Sequence, residues 1–195
     1  PYSASKGATE ILLNSYIKSF FWSKKNKVRI SIARAGNVIG GGDWSQDRLI
    51  PDCVRSWSKN KSVILRNPKS TRPWQHVMDV LYGYMLLAIN LNKNFKKVHG
   101  EAFNFGPSIK NKLTVSQLVK KMGNGWKKVK LKKIINKKKN FKESKLLQLN
   151  SRKAKKYLNW SCVLDTKKTI DLVTLWYKNF YSKKINKDLT INQLK

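Results

Sequence analysis

Two periodicities meet within the first 36 residues, and together they restrict the fold more than any other feature of the chain. Behind the opening run PYSASKGATE, the residues Ile11, Leu12, Tyr16, Phe20 and Phe21 recur near the helical spacing, so a helix is predicted whose far end is anchored by packing. A polar turn follows. The β-branched run VRISIAR at 28–34 then ends before Gly36, which predicts a buried strand. Helix followed by strand is half of an α/β crossover.

Tyr2 and Lys6 lie one turn apart on that helix, which places a phenol and an ammonium on one face within reach of a common ligand. A phenol is a poor base at neutral pH, but a fixed cation beside it favours the ionised form, so the pair can move a proton. Any amphipathic helix can produce this spacing by chance. The small residues Ser3, Ala4, Ser5, Gly7 and Ala8 around the pair sharpen the signal, because they keep the face open to a flat ligand or a close partner.

The later segments come in a fixed order: RAGNVIGGGDW at 34–44, DRLIPD at 47–52, ILRNP at 64–68, TRPWQHV at 71–77, NFGP at 104–107 and SKLLQLNSRKAKKYLNW at 144–160. With PYSASKGATE, this ordered set resembles the extended short-chain dehydrogenase/reductase family and, within it, the CDP-glucose 4,6-dehydratases. The resemblance implies an α/β protein: the C-terminal part of an NAD-binding Rossmann-type parallel sheet plus a smaller mixed α/β substrate-binding domain. Residues 1–43 and 73–107 would belong to the dinucleotide-binding part, and 44–72 and 108–195 to the sugar-nucleotide part.

In that family a Gly-rich turn after the first strand receives the NAD pyrophosphate at a helix N-terminus. Gly40, Gly41 and Gly42 follow the 28–34 run but lead into Asp43 and Trp44 with no helix signal, so they read as a loop. The chain starts at Pro1, and it is expected to be the C-terminal portion of a longer protein, neither binding NAD tightly nor turning over by itself.

The resemblance gives Tyr2 the role of base and Lys6 that of a ribose-holding, phenolate-stabilising cation, both touching NAD. The implied reaction oxidises C4 of CDP-glucose, removes water across C5 and C6 and reduces C6, leaving a 4-keto-6-deoxy sugar. Substrate contacts fall on Asn37, on Arg48, Leu49 and Ile50 at a helix start that tolerates Pro51, on Arg72 and on Asn104. Arg66 in ILRNP matches the CDP-glucose branch. Pro68 and Pro73 should stiffen the backbone around Arg66 and Arg72, so that two guanidinium groups can converge on a diphosphate. The alternative for both arginines is a surface pair with Asp79 or Asp52. Trp74, Gln75, His76 and Asp79 are expected to open a helix, His76 in a structural role, and 169–181 a last packing helix. Asn150 can cap the helix after it. Family members commonly pair through the Tyr/Lys helix, so a homodimer or higher homo-oligomer is expected, with Tyr16, Phe20 and Phe21 either at the interface or in the core.

The formal charge of +32 raises a nucleic-acid reading. Against it, Lys outnumbers Arg and no zinc-finger, homeodomain or aromatic RNA-binding pattern is present. The densest basic stretch, 127–142, partly alternates with Val129, Leu131, Ile134 and Ile135 and reads as a strand or loop with a solvated face. Two cysteines without ligand spacing and two histidines leave no zinc site, and a reduced pair of thiols is expected. No stretch is apolar for the ~20 residues that span a bilayer, so no membrane partner is expected and a cytoplasmic location is the default. Another nucleotide-sugar epimerase or dehydratase of the same family, or a non-catalytic basic nucleic-acid-binding remnant, stands as the alternative.

Overall fold

The structure, a computed structural model, describes residues 1–23, 25–65, 67–108, 112–126, 131–133, 147–184 and 187–194. Among the described residues, helices α1 (Tyr2–Tyr16), α2 (Leu49–Ser58), α3 (Val77–Lys93), α4 (Phe95–Val98), α5 (Val115–Asn124), α6 (Arg152–Leu158), α7 (Thr166–Tyr181) and α8 (Lys187–Asn192) are interspersed with eight short strands. The strands are β1 (Ile32–Ala35), β2 (Asn37–Ile39), β3 (Val63–Leu65), β4 (Thr71–Arg72), β5 (Trp74–His76), β6 (Ala102–Phe105), β7 (Leu113–Thr114) and β8 (Leu131–Lys133). The chain forms two compact units.

The first unit comprises Pro1–Ala35, Leu81–Phe105 and Asn150–Ser161. In it β1 and β6 pair in parallel, with Ile32 opposite Ala102 and Ala35 opposite Phe105. Phe103, Phe105, Leu158 and Trp160 are buried there, and Gly83 is required by them: a Cβ at Gly83 would lie 2.5 Å from the Phe105 ring. Helix α1 continues as one π-type turn, Ile17–Phe21. That turn is clasped by buried His99, whose Nδ1 accepts the Ile30 N–H at 3.1 Å and whose Nε2 lies 2.9 Å from the Phe21 carbonyl. An imidazole that accepts at Nδ1 carries its proton at Nε2, so both contacts fix one neutral tautomer.

The second unit comprises Gly36–Val80, Gly106–Leu149 and Cys162–Lys195. Its core is built by Cys53, Val54 and Trp57 of α2, Val63 and Leu65 of β3, Leu118, Val119 and Met122 of α5, and Ile170, Val173 and Tyr177 of α7. Parallel pairs β2–β5 and β3–β8 and the antiparallel pair β4–β7 border it. Helix α5 opens on a capping box: Thr114 accepts from the Gln117 N–H, and the Gln117 side chain accepts from the Thr114 N–H. Helix α7 opens on Asp165, which accepts the Lys168 N–H at 2.7 Å.

Several expectations change. The strand is shorter and half exposed, because regular pairing starts only at Ile32 and Val28 is 43% exposed. The far end of α1 is not anchored by its apolar residues: Ile11, Leu12, Tyr16 and Phe20 are exposed, and Ile17 is the buried one. Trp74, Gln75 and His76 form strand β5 against β2, and the helix begins one residue later at Val77. The helix expected to be last, α7, starts three residues before Thr169 and is followed by α8, and Leu175 and Phe180 lie outside its buried face. Segments 36–43, 73–80 and 106–107 cluster in the second unit and 150–161 in the first. Most of the basic stretch at 127–142 lies outside the described residues.

Candidate functional site

In the first unit, Tyr2 and Lys6 both occupy α1, with the Lys6 Nζ 5.7 Å from the centre of the Tyr2 ring. Tyr2 is 76% exposed, and a Cβ on Gly7 would meet nothing within 4 Å. The open helix face read from the small residues is therefore present. Four residues after Lys6, Glu10 forms a two-pronged ion pair with Arg34 of β1: Nε donates to Oε1 at 2.6 Å, and Nη2 to Oε2. This contact holds the Glu10 carboxyl below the usual carboxylate range and raises the Arg34 guanidinium. Arg34 Nη1 reaches Asn104 Oδ1 at 3.4 Å, and Asn104 Nδ2 donates to the Asn150 carbonyl at 3.3 Å. Asn104 thus lies inside strand β6 with its amide engaged by protein groups.

In the second unit, Asn37 opens β2 beside Trp74, and its N–H donates to the Pro73 carbonyl at 3.1 Å. The approach of Pro73 explains Gly36, where a Cβ would lie 2.7 Å from that carbonyl. Arg48 is exposed and precedes α2, Leu49 packs partly against the core, and Ile50 is a core side chain at 3% exposure. Ile50 therefore has only its backbone to offer a ligand. Arg66 lies outside the described residues.

Arg72 is buried in β4, with Nη1 donating to the Thr71 carbonyl at 2.9 Å. It lines a shallow open groove with Thr71, Pro73, Ser108, Lys112 and Gln148. Two cations and two hydroxyls along one groove suit an anionic ligand. Asp52 pairs with Arg55 at 2.6 Å, and Asp79 accepts from Val163 N–H at 2.8 Å and Cys162 Sγ at 3.1 Å.

Sequence reasoning missed Lys112, since one lysine among 42 basic residues carries no signal; the β4–β7 register, Arg72 opposite Leu113, is what sets it beside Arg72. It also missed Glu10, which the spacing from Lys6 could have shown.

The three glycines at 40–42 form a turn, with Gly42 at φ +80°. A Cβ on Gly41 would sit 2.2 Å from the Trp176 ring, so this glycine makes room for an indole and is no phosphate cradle. His76 is buried, its Nδ1 accepts the Met78 N–H at 3.3 Å, and burial lowers its pKa, which fits a structural role. Among the described residues no group of carboxylates, cysteines and histidines could hold a metal, and no helix is long and apolar enough to cross a membrane.

Residues 1–106, more than half of the chain, match the NAD dependent epimerase/dehydratase family. The chain belongs to this family. A curated relative, the CDP-glucose 4,6-dehydratase of Salmonella typhimurium, is 39% identical over 181 residues, covering 91% of this chain and 50% of that enzyme. A dTDP-D-glucose 4,6-dehydratase of Dictyostelium discoideum is 31% identical over 88 residues, 45% of this chain and 19% of that protein. The chain thus spans half or less of the length of the curated relatives it matches. Among solved structures, a dTDP-glucose 4,6-dehydratase of Streptomyces venezuelae with NAD bound superposes with a TM-score of 0.76 at 18% identity, covering 97% of this chain and 53% of that one. A UDP-glucuronic acid 4-epimerase of Bacillus cereus with UDP-glucuronic acid and NAD gives 0.74 at 19% identity, covering 93% and 53%. These likenesses establish the mixed α/β, Rossmann-type fold expected from the sequence. The epimerase/dehydratase family is NAD dependent, and several of the neighbours hold NAD.

Proposed function

We propose that the protein is an NAD-dependent dehydratase that converts CDP-glucose to CDP-4-keto-6-deoxyglucose. The observation that carries this reading is the exposed Tyr2–Lys6 pair on the open face of α1. The 39% identity to a CDP-glucose 4,6-dehydratase supports CDP-glucose as the substrate. Tyr2 accepts the proton of the sugar hydroxyl at the carbon that is oxidised. Lys6 stabilises the phenolate by charge and offers its ammonium to the ribose hydroxyls of NAD. NAD, when bound, supplies reversible hydride acceptance. The glycine turn at 40–42 packs against Trp176, and in this reading Tyr2 and Lys6 are the residues that would hold NAD.

Arg72 and Lys112 of the groove neutralise the diphosphate, and Thr71 and Ser108 donate to its oxygens. Asn37, Arg48, Leu49, Arg66 and Asn104 complete the substrate side, with Ile50 contributing through its backbone. In this reading 1–43 and 73–107 serve the dinucleotide, and 44–72 and 108–195 the sugar nucleotide. Tyr16, Phe20 and Phe21 at the far end of the Tyr2–Lys6 helix are the residues through which the protein would pair with itself, and Tyr16 and Phe20 are exposed.

The test supplies the full-length protein with NAD and, separately, CDP-, UDP- and dTDP-glucose, and follows the 4-keto product. Tyr2→Phe should lower turnover by about 10²-fold or more with the circular dichroism unchanged. Arg72→Ala should raise KM for CDP-glucose by about tenfold or more, the loss of one charge-assisted hydrogen bond. Near-native turnover of Tyr2→Phe would overturn the assignment of the base. Inversion at C4 of a UDP-sugar, with no 4-keto product from CDP-glucose, would make the protein an epimerase instead.

A further inference from the structure

Helix α1 carries the proposed base, yet none of its residues is buried; the buried Ile17 belongs to the turn that continues it. Its described side-chain tie to β1 is the Glu10–Arg34 ion pair. Tyr2, Lys6 and Glu10 stand at successive steps of four residues, hence along one stripe of the helix. Each side chain on such a stripe leans toward the N-terminus, and the Lys6 ammonium does so, over the Tyr2 ring. A carboxylate at the next step is within ion-pair reach of Lys6.

Arg34 occupies that carboxylate at both oxygens. The guanidinium is itself braced from behind: Nη1 points to Asn104, Asn104 holds the Asn150 carbonyl, and Asn150 Oδ1 accepts the Arg152 N–H at 3.0 Å. The charge balance of this unit gives the pair its weight. Segments 1–35, 81–105 and 150–161 contain two carboxylate side chains, Glu10 and Glu101, and Glu101 is taken by Lys153. The titratable and charged groups on the stripe and the strand facing it are Tyr2, Lys6 and Glu10 of α1 and Arg34 of β1. Of these, Glu10 alone could neutralise Lys6.

We propose that Arg34 is a positioning residue for the Tyr2–Lys6 site: by holding Glu10 in a two-pronged ion pair, it keeps that carboxylate away from Lys6 and leaves the ammonium free for Tyr2. The inference rests on the reading of Tyr2 as the base. It differs from a plain brace between helix and strand, because a brace would be broken equally from either end, whereas sequestration makes loss of Arg34 harmful only while Glu10 keeps its charge.

The test uses the full-length protein with NAD and CDP-glucose and compares Arg34→Gln, Arg34→Lys, Glu10→Gln and the Arg34→Gln/Glu10→Gln double variant across pH. Arg34→Gln should move the acid limb of kcat to higher pH and lower kcat at neutral pH about two- to fivefold, with KM for the sugar nucleotide within about twofold. The double variant should return the limb toward its original position, and Arg34→Lys should shift it less than Arg34→Gln. A double variant as impaired as Arg34→Gln, or a limb that stays in place in Arg34→Gln, would overturn the proposal.

A second readout needs no turnover. The phenolate absorbance difference between each background and its Tyr2→Phe counterpart isolates the ionisation of Tyr2, and it should shift with Arg34→Gln and revert in the double variant. If Arg34→Gln does not fold, Arg34→Lys against Arg34→Lys/Glu10→Gln makes the same comparison. An active Tyr2→Phe enzyme would defeat the functional reading, while the absorbance titration would still decide whether Arg34 keeps Glu10 from Lys6.

Discussion

Helices α1 and α2 have similar reasons to be helices and opposite fates in the fold. The longer α1, 15 residues with Ile11, Leu12 and Tyr16 at helical spacing, buries none of its side chains. The 10-residue α2 buries Ile50, Pro51, Cys53, Val54 and Trp57. What differs is the company: α2 faces β3 and shares a core with α5 and α7, whereas α1 is tied to β1 by an ion pair. Apolar periodicity therefore shows which face of a helix wants cover, and says nothing about whether cover is present. The comparison is easiest to break with truncations. Trp57→Ala should cost about 3–5 kcal/mol in urea unfolding, since it empties a site 2% exposed. Leu12→Ala, at a site 58% exposed, should stay within about 0.5 kcal/mol. Comparable losses at both positions would show that α1 is covered as α2 is.

The polar contacts divide in the same way. In the second unit, buried Asp79 accepts from the Val163 and Leu164 N–H groups at 2.8 and 3.3 Å and from the Cys162 thiol. Burial, helped by that carboxylate, pushes the Cys162 thiol up to about 12. Asp79→Ala would strand two backbone donors and should cost about 2–3 kcal/mol. The same change should speed alkylation of Cys162 at mildly alkaline pH, where the native thiol stays protonated and slow. In the first unit the ion pairs are largely wet, and their removal should cost far less.

The sequence made the α/β class and the Tyr2–Lys6 helix readable because each rests on local spacing. The ordered motifs extended that reading to the family, which the match over residues 1–106 bears out. What stayed hidden depends on contacts between distant segments. The β-branched run at 28–34 looked like a buried strand, but burial is set by neighbouring elements, and Ala33 and Arg34 of β1 are exposed. Trp74, Gln75 and His76 looked helical because Asp79 and the apolar residues beyond them are; pairing with Asn37, Val38 and Ile39 pulls them into a strand. Lys112 became visible only through the register of β4 and β7.

A local signal that was open to reading is the capping box at Thr114 and Gln117, a T-x-x-Q spacing before the apolar positions of α5. It anchors the helix that brings Leu118, Val119 and Met122 to the second core. Thr114→Ala should cost about 1 kcal/mol, and Thr114→Ser should recover most of it. A cost near zero would mean that packing alone places α5, and the contrast with α1 would sharpen.

The smallest expected effect tests the polar side of the comparison. Because Arg34 depresses the Glu10 carboxyl, the pair contributes stability above the ordinary carboxylate range, and this is lost as pH falls through the lowered folded value. Arg34 is 44% exposed at the side chain, so solvent screens the pair and about 0.2–1 kcal/mol is expected. Glu10→Gln should therefore be slightly less stable than the unchanged protein at neutral pH, and the two should converge as pH falls through the lowered folded value of Glu10. High salt should shrink the neutral-pH difference as well. If the difference persists unchanged into acid, the carboxylate charge is not what ties α1 to β1, and the helix owes its place to contacts of the kind that hold α2.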